Sequence, residues 1–170
     1  QILNMQNVAR EAAIPRSSVE GYFGVLVDTL LGVFLPAYRP GLKVREATHP
    51  KFYWIDSGIA RAAAGLLRDP VDRIWLGTAL ETLVFHEIRV FNAVHARHRQ
   101  IAYYRTAAGA EVDFVIETQR RTQTSPGSVV CIEVKSALRW DDRWGRPMRD
   151  MASAGRPRVI RMIGVYMGER

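Results

Sequence analysis

The sequence predicts a mixed α/β (α+β) fold, in which a helix-turn-helix with a β-hairpin wing precedes a core of order α-β-β-β-α-β. Two patterns lead to this prediction. Apolar residues recur at helical spacing in several segments, and short runs rich in aromatic and β-branched residues are separated by turn residues. The 170 residues are 48% hydrophobic and 24% charged, which is the composition of a folded chain that can bury a core.

Composition and missing motifs exclude several classes of protein. The single cysteine, Cys131, excludes a disulfide scaffold, and no apolar run is long enough for a membrane span. The chain has no GxxxxGK[ST], GxGxxG or GxSxG motif, so it carries no nucleotide-binding loop or serine-hydrolase elbow of its own. His95 and His98 lack nearby ligand residues and predict a basic helix end rather than a zinc site. The chain opens at Gln1 without a signal peptide, and we expect a piece of a longer cytoplasmic protein.

The first half predicts a winged helix over residues 1–58. A helix over 7–14, capped by Asn7, ends at Pro15, and Ser17 or Ser18 starts a second helix over 18–31. Two strands, 32–38 and 51–55, then flank a basic loop with Pro and Gly.

This pattern suggests DNA binding, but its charge argues against it. The presumed recognition helix, 16–30, has a net charge of −1, so it offers little phosphate neutralisation. We therefore favour a packing module between domains. Only the wing loop of this half is basic, through Arg39, Lys43, Arg45 and Lys51 against Glu46.

The second half predicts a connecting helix within 59–72 and a larger domain over 73–170. The connecting helix, 59–67, is expected to be capped by Asp56 or Ser57. The larger domain begins with a long amphipathic helix. Its predicted elements are a helix over 74–96, strands over 101–106, 111–117 and 129–135, a helix over 140–154 and a strand over 158–167.

Three charged residues stand in or beside strands that otherwise look buried. Asp113 lies in EVDFVIE, and Glu133 and Lys135 project from one face of VVCIEVK. Buried charges are costly unless they are paired or bind a metal. Two carboxylates could hold Mg²⁺ (or Mn²⁺), with Lys135 steadying an attacking hydroxide or the developing phosphate charge. A purely structural acid–lysine cluster accounts for the pattern equally well.

These residues resemble a known arrangement. Asp113 followed by Glu133-Val-Lys135 on this framework is similar to the PD-(D/E)xK core of restriction endonucleases. The blocks VAREAAIPRSSVEGYFGVLVDTLLGVFLPAY, HPKFYWIDSGIARAAAG, GTALETLVFHEI, YYRTAAGAEVDFVIE and VVCIEVKSA resemble the "domain of unknown function 4143" of bacterial and archaeal AAA-family ATPases. The resemblance implies a winged helix followed by a restriction-endonuclease-like domain.

The resemblance also implies site residues and partners. Asp113, Glu133 and Lys135 match the catalytic positions, and Glu81 matches an additional helix glutamate better than Glu87 does. Asp113, Glu133 and Glu81 would then be the metal ligands. An upstream ATPase domain, absent from this chain, is the expected partner and the expected site of ATP binding. DNA is an expected partner, no membrane is expected, and an oligomer stays open.

Three functions follow from these observations. The first is a Mg²⁺-dependent DNA nuclease coupled to an ATPase, and the second is a non-catalytic module that binds protein or nucleic acid and regulates the ATPase. A winged-helix transcription factor is the least favoured. Of the net charge of +7, residues 59–170 carry +6, so the second half is the expected DNA surface. Lys135 is one of only three lysines beside 21 arginines.

Overall fold

The computed structural model describes residues 2–39 and 49–168, and these residues form both helices and strands. The first half contains two helices and a two-stranded antiparallel sheet, β1–β2. Their bounds are α1 Met5–Ala12, α2 Arg16–Asp28, β1 Gly32–Leu35 and β2 Lys51–Trp54. Among the helices of the described part, none is long and apolar enough to cross a membrane.

The predicted helix starts in the first half were wrong in detail. Asn4, not Asn7, caps α1, because its side-chain oxygen accepts hydrogen bonds from the backbone N–H groups of Gln6 and Asn7. The second helix starts at Arg16 after Pro15, without a side-chain cap from either serine. The N-cap residue of this helix is Pro15, whose carbonyl accepts hydrogen bonds from the backbone N–H groups of Ser18 and Val19.

The predicted wing loop is only partly described. Residues 40–48, including Lys43, Arg45 and Glu46, lie outside the described residues. The assignment of Lys51 to a basic wing loop was wrong. Lys51 is the first residue of β2, and only 3% of it is exposed. An ammonium group this deeply buried must be paired, and its partners lie in the second half of the chain.

The second half has the predicted order of one helix, three strands, one helix and one strand. Asp56 caps the connecting helix, as predicted. The predicted helix over 140–154 is instead a 3-10 turn, 142–145, followed by an α-helix with Pro147 in its first turn. The bounds are α3 Ser57–Ala63, α4 Arg73–Val94, β3 Ile101–Arg105, β4 Glu111–Gln119, β5 Ser128–Lys135, α5 Arg146–Ser153 and β6 Arg158–Tyr166.

The four strands of the second half form one sheet in the order β3-β4-β5-β6. The pairs β3–β4 and β4–β5 are antiparallel, whereas β5 and β6 are parallel and joined through α5. Parallel neighbours need such a crossover, and α5 supplies it. The central strands β4 and β5 are the most buried, which matches their apolar composition.

The two halves share one apolar core. Tyr53 of the first half lies 4.6 Å from the ring of Phe85 on α4 and 6.1 Å from that of Phe114 on β4. Behind β1, the backbone N–H of Tyr38 donates to the carbonyl of Tyr103 at 2.6 Å. The hairpin is therefore fixed against the larger sheet. The predicted domain bounds of 58 and 73 stay a prediction.

Candidate active site

The central strands bring Asp113 and Glu133 together. Asp113 precedes Phe114 on β4, and Glu133 follows Ile132 on β5. Phe114 and Ile132 are directly paired across the two strands. The backbone N–H of Val134 donates to Asp113 Oδ2 at 2.9 Å, and the N–H of Asp113 points at Glu133 Oε2 at 3.4 Å. Asp113 is 8% exposed and Glu133 5%. Two carboxyl groups are thus held side by side, almost out of water.

Lys135 lies between these two carboxyl groups. Its ammonium group donates a hydrogen bond to Glu133 Oε1 and lies 3.8 Å from Asp113 Oδ2. It also donates to the carbonyl of Val134 at 3.1 Å. About a third of the Lys135 side chain is exposed, at 32%, so the ammonium is reachable from solvent but oriented by the acids. The structure therefore gathers the three charged residues of β4 and β5.

Glu81 extends the acidic cluster from α4 through a second lysine. Lys51 Nζ lies 2.9 Å from Glu81 Oε1, 2.6 Å from Glu111 Oε1 and 3.6 Å from Asp113 Oδ1. The hydroxyl of Tyr53 donates to the same oxygen of Glu81. Glu81 is thus near Asp113, but its Oε1 is taken by Lys51 and Tyr53.

Lys51, Tyr53 and Glu111 are site residues that the sequence argument missed. Lys51 and Tyr53 are two apart on β2, so a strand places them on one face. The scarcity of lysine, which drew attention to Lys135, applies equally to Lys51. The strand pattern and the scarcity together could have identified Lys51. No local signal shows that the first-half hairpin packs against the second half.

Burial and repulsion raise the pKa values of the two central acids. For Glu133, burial and the charge of Asp113 outweigh Lys135 and raise the pKa to about 7. For Asp113, burial and the charge of Glu81 outweigh the two lysines and the N–H of Val134, so its pKa is also raised. Both acids are therefore short of compensating positive charge.

For Glu81 and Lys51, attraction between opposite charges outweighs the effect of burial on the pKa. Burial would raise the pKa of Glu81, but Lys51 and the hydroxyl of Tyr53 lower it below the ordinary value. Burial would lower the pKa of Lys51, but Glu81, Asp113 and Glu111 together raise it. Glu81 and Lys51 are accordingly ionised and matched to each other.

The donor chemistry of the central pair suits a hard divalent cation. Mg²⁺ in proteins is held by one or two carboxylates, with waters and phosphate oxygens completing the shell. Asp113 and Glu133 supply buried carboxylate oxygens whose charge the neighbouring lysines do not fully compensate, so they fit such an ion. Glu81 does not join them, since the described residues contain no group of three Asp, Glu, His or Cys side chains arranged to hold a metal.

Two cavities lie near α4, and only one of them borders the outer part of the cluster. One of about 260 Å³ is lined by Lys51, Glu81, Glu111 and Arg105 among others, while Asp113 and Glu133 are not in its lining. A second groove, of about 700 Å³, is mostly apolar and has Glu87 at its edge. Glu87 is exposed and lines this groove rather than the cavity that borders Lys51 and Glu81, so it lies apart from the cluster.

The fold and the site define a mixed α/β protein with a buried acid–lysine cluster between its two halves. Residues 76–170, just over half of the chain, match the family model described as Domain of unknown function (DUF4143), and the chain belongs to this family. Residues 1–69 match a second model, described as Domain of unknown function (DUF8612). No match was found among curated proteins or solved structures. The predicted family is confirmed; the ATPase context and the nuclease-like fold stay predictions.

Proposed function

We propose that this chain is the C-terminal region of an AAA-family ATP-binding protein and carries a Mg²⁺-dependent DNA nuclease domain, which hydrolyses phosphodiester bonds. The observation that supports it best is the convergence of Asp113, Glu133 and Lys135 on adjacent strands. The strand order, with a parallel pair joined through α5, is compatible with the PD-(D/E)xK framework predicted from the sequence.

In this proposal Asp113 and Glu133 hold the metal, which when bound supplies Lewis-acid polarisation of the phosphate and a more acidic water. Glu133 binds the metal in its ionised form. Its pKa of about 7 leaves this carboxyl about half ionised at neutral pH. Lys135 donates its N–H groups to charge that develops on the phosphate oxygens. Its partial exposure lets it reach a substrate without leaving the two acids.

The basic charge of the second half supports DNA as the substrate. Residues 59–170 carry a net charge of +6, although their candidate site is acidic. Arginines elsewhere on this half can neutralise phosphates and supply affinity that does not depend on sequence. The acidic site needs a cation to accept a phosphate, which is consistent with a metal-dependent reaction.

A second candidate, a non-catalytic module that regulates the attached ATPase, is favoured by Lys51. Its ammonium already contacts three of the four acids, and Glu81 is held by Tyr53 as well. In such a module the cluster is a structural link between the two halves, and no metal is required.

Cleavage assays with Mg²⁺ or Mn²⁺ on single-stranded, duplex and branched DNA separate the two candidates. We expect Asp113→Asn and Lys135→Met to reduce cleavage by roughly a hundredfold or more, as the loss of a charged group at the reacting centre does elsewhere. Asp150→Asn, which removes an exposed acid on α5, is the matched control and should cleave normally. Cleavage by both site variants at the control's rate would exclude this site, and no cleavage by a protein that includes the ATPase domain would favour the regulatory module.

A further inference from the structure

The first-half hairpin places a positive charge inside the acidic cluster. Lys51 is 3% exposed, and its ammonium lies within 3.6 Å of carboxylate oxygens from α4 and β4. It also lies 5.4 Å from the centre of the Tyr103 ring. Glu81, Glu111 and Asp113 therefore share one ammonium group, which comes from a different part of the chain.

A buried cation in the position of the Lys51 ammonium interacts strongly with the surrounding charges. Charges that are buried together interact several times more strongly than the same charges in water. Any divalent ion at Asp113 would feel the Lys51 ammonium, 3.6 Å from Asp113 Oδ1, as a close like charge. Metal binding and the present location of Lys51 therefore oppose each other.

The cavity beside the hairpin leaves space into which the Lys51 side chain can move. Lys51, Glu81 and Glu111 line the cavity of about 260 Å³, whereas Asp113 does not. A lysine stem is long and flexible, so its ammonium can move away from Asp113 toward the cavity while it keeps its closer contacts with Glu81 and Glu111, without a movement of the strand. The hairpin controls this choice because it fixes the backbone of Lys51 against β1.

We propose that Lys51 is an internal competing cation, which weakens divalent-metal binding at Asp113 and Glu133 and lets the first half of the chain set that affinity. The inference rests on the proposed function, since it concerns the same metal site. It assigns Lys51 no contact with the substrate. Lys51 is a residue that determines the metal affinity of the site, and Lys135 keeps the catalytic position.

Calorimetric titration of the 170-residue chain with Mn²⁺ tests this inference without any activity measurement. We expect Lys51→Met to tighten Mn²⁺ binding by roughly tenfold or more, because a buried like charge is removed. Lys51→Arg keeps the charge and should bind nearly as weakly as the wild type. Arg146→Met removes the same unit of charge from an exposed pair with Asp150 and should change nothing. Asp113→Asn in the Lys51→Met background should abolish the gain.

The outcomes separate this inference from the proposed function. Equal Mn²⁺ affinity of wild type and Lys51→Met, with cleavage intact, overturns the inference alone. Absence of Mn²⁺ binding in both overturns the inference and the metal-dependent function together. Tighter binding by Lys51→Met without any DNA cleavage supports the inference and counts against the nuclease.

A measurement on the wild type covers the case in which Lys51→Met does not fold. Acetylation of Lys51 by a water-soluble active ester, followed by mass spectrometry, reports its access to solvent. Lys51 should be protected in sodium chloride of matched ionic strength and labelled several-fold faster in saturating Mn²⁺, because exposed amines react and buried charged amines do not. Unchanged labelling while calorimetry shows bound Mn²⁺ would overturn the inference.

Discussion

At the scale of single residues, the site depends on how few positive charges serve its acids. Two lysines, Lys51 and Lys135, form the ion pairs with the four acids Glu81, Glu111, Asp113 and Glu133. The half-exposed Arg105 adds a more distant contact, 3.7 Å from Glu111. A buried acid whose negative charge is not fully balanced by nearby positive charge keeps its proton to a higher pH. The pKa values of Asp113 and Glu133 are raised for this reason. Such groups are more frequent at functional sites than in ordinary surface ion pairs.

Glu133 provides a prediction about pH and stability. Its pKa is raised from 4.5 to about 7, so the folded protein binds an extra proton between these values. Stability should therefore fall as the pH rises through this interval. Glu133→Gln has no charge to bury, so its stability relative to the wild type should improve by about 2 kcal/mol between about pH 5 and about pH 8.

Chemical denaturation of the two proteins across this pH range measures the difference directly. Titrating groups outside the cluster are common to both proteins and cancel in the comparison, whereas Asp113 and Lys135 interact directly with the Glu133 charge and contribute to the difference. Parallel stability curves for the wild type and Glu133→Gln would show that Glu133 does not hold a raised pKa in the folded state.

At the scale of elements, the hairpin β1–β2 is a support for the site. Gly32 on β1 pairs with Trp54 on β2, and a Cβ at Gly32 would lie only 2.0 Å from the ring of Phe52. Phe52 packs edge-on against Phe23 of α2 at 4.8 Å between ring centres. The ring therefore cannot move without disturbing the helix, and strain at Gly32 must pass to β2, which carries Lys51 and Tyr53.

Gly32→Ala should consequently destabilise the protein by about 1–3 kcal/mol, the usual cost of overpacking a filled space. Gly21→Ala is the matched control, since nothing lies within 4 Å of a Cβ there, and alanine in a helix should stabilise by about 0.5–1 kcal/mol. Thermal unfolding of the three proteins checks both signs. An unchanged midpoint for Gly32→Ala would mean that the hairpin is not packed as the structure has it.

At the scale of the whole molecule, local patterns predicted the elements and the central acids but not how the halves meet. The apolar residues of EVDFVIE and VVCIEVK are enough to place Asp113, Glu133 and Lys135 in buried strands. The burial of Lys51 depends on contacts between residues that are far apart in the chain, such as Lys51 with Glu111. Patterns with a period of two or of 3.6 residues carry no information about such contacts.

The helix starts were harder to predict for a different reason. Asn4 and Asn7 both precede apolar positions, and either could cap α1 by composition. Pro15 is the N-cap residue of α2 and neither Ser17 nor Ser18 supplies a side-chain cap, so the neighbouring serines were misleading. Several neighbouring residues can cap a helix almost equally well by type, and the packing of the rest of the fold determines which of them does so.

The central claim is that Asp113 and Glu133 form a divalent-metal site beside Lys135. Anomalous diffraction from crystals of the chain soaked in Mn²⁺ tests it most directly, because the signal locates the ion without reference to activity. We expect one strong peak about 2.1–2.2 Å from oxygens of Asp113 and Glu133, with waters completing an octahedron. A peak only at exposed acids such as Asp150, with Lys51 and Lys135 still holding both central carboxylates, would contradict it.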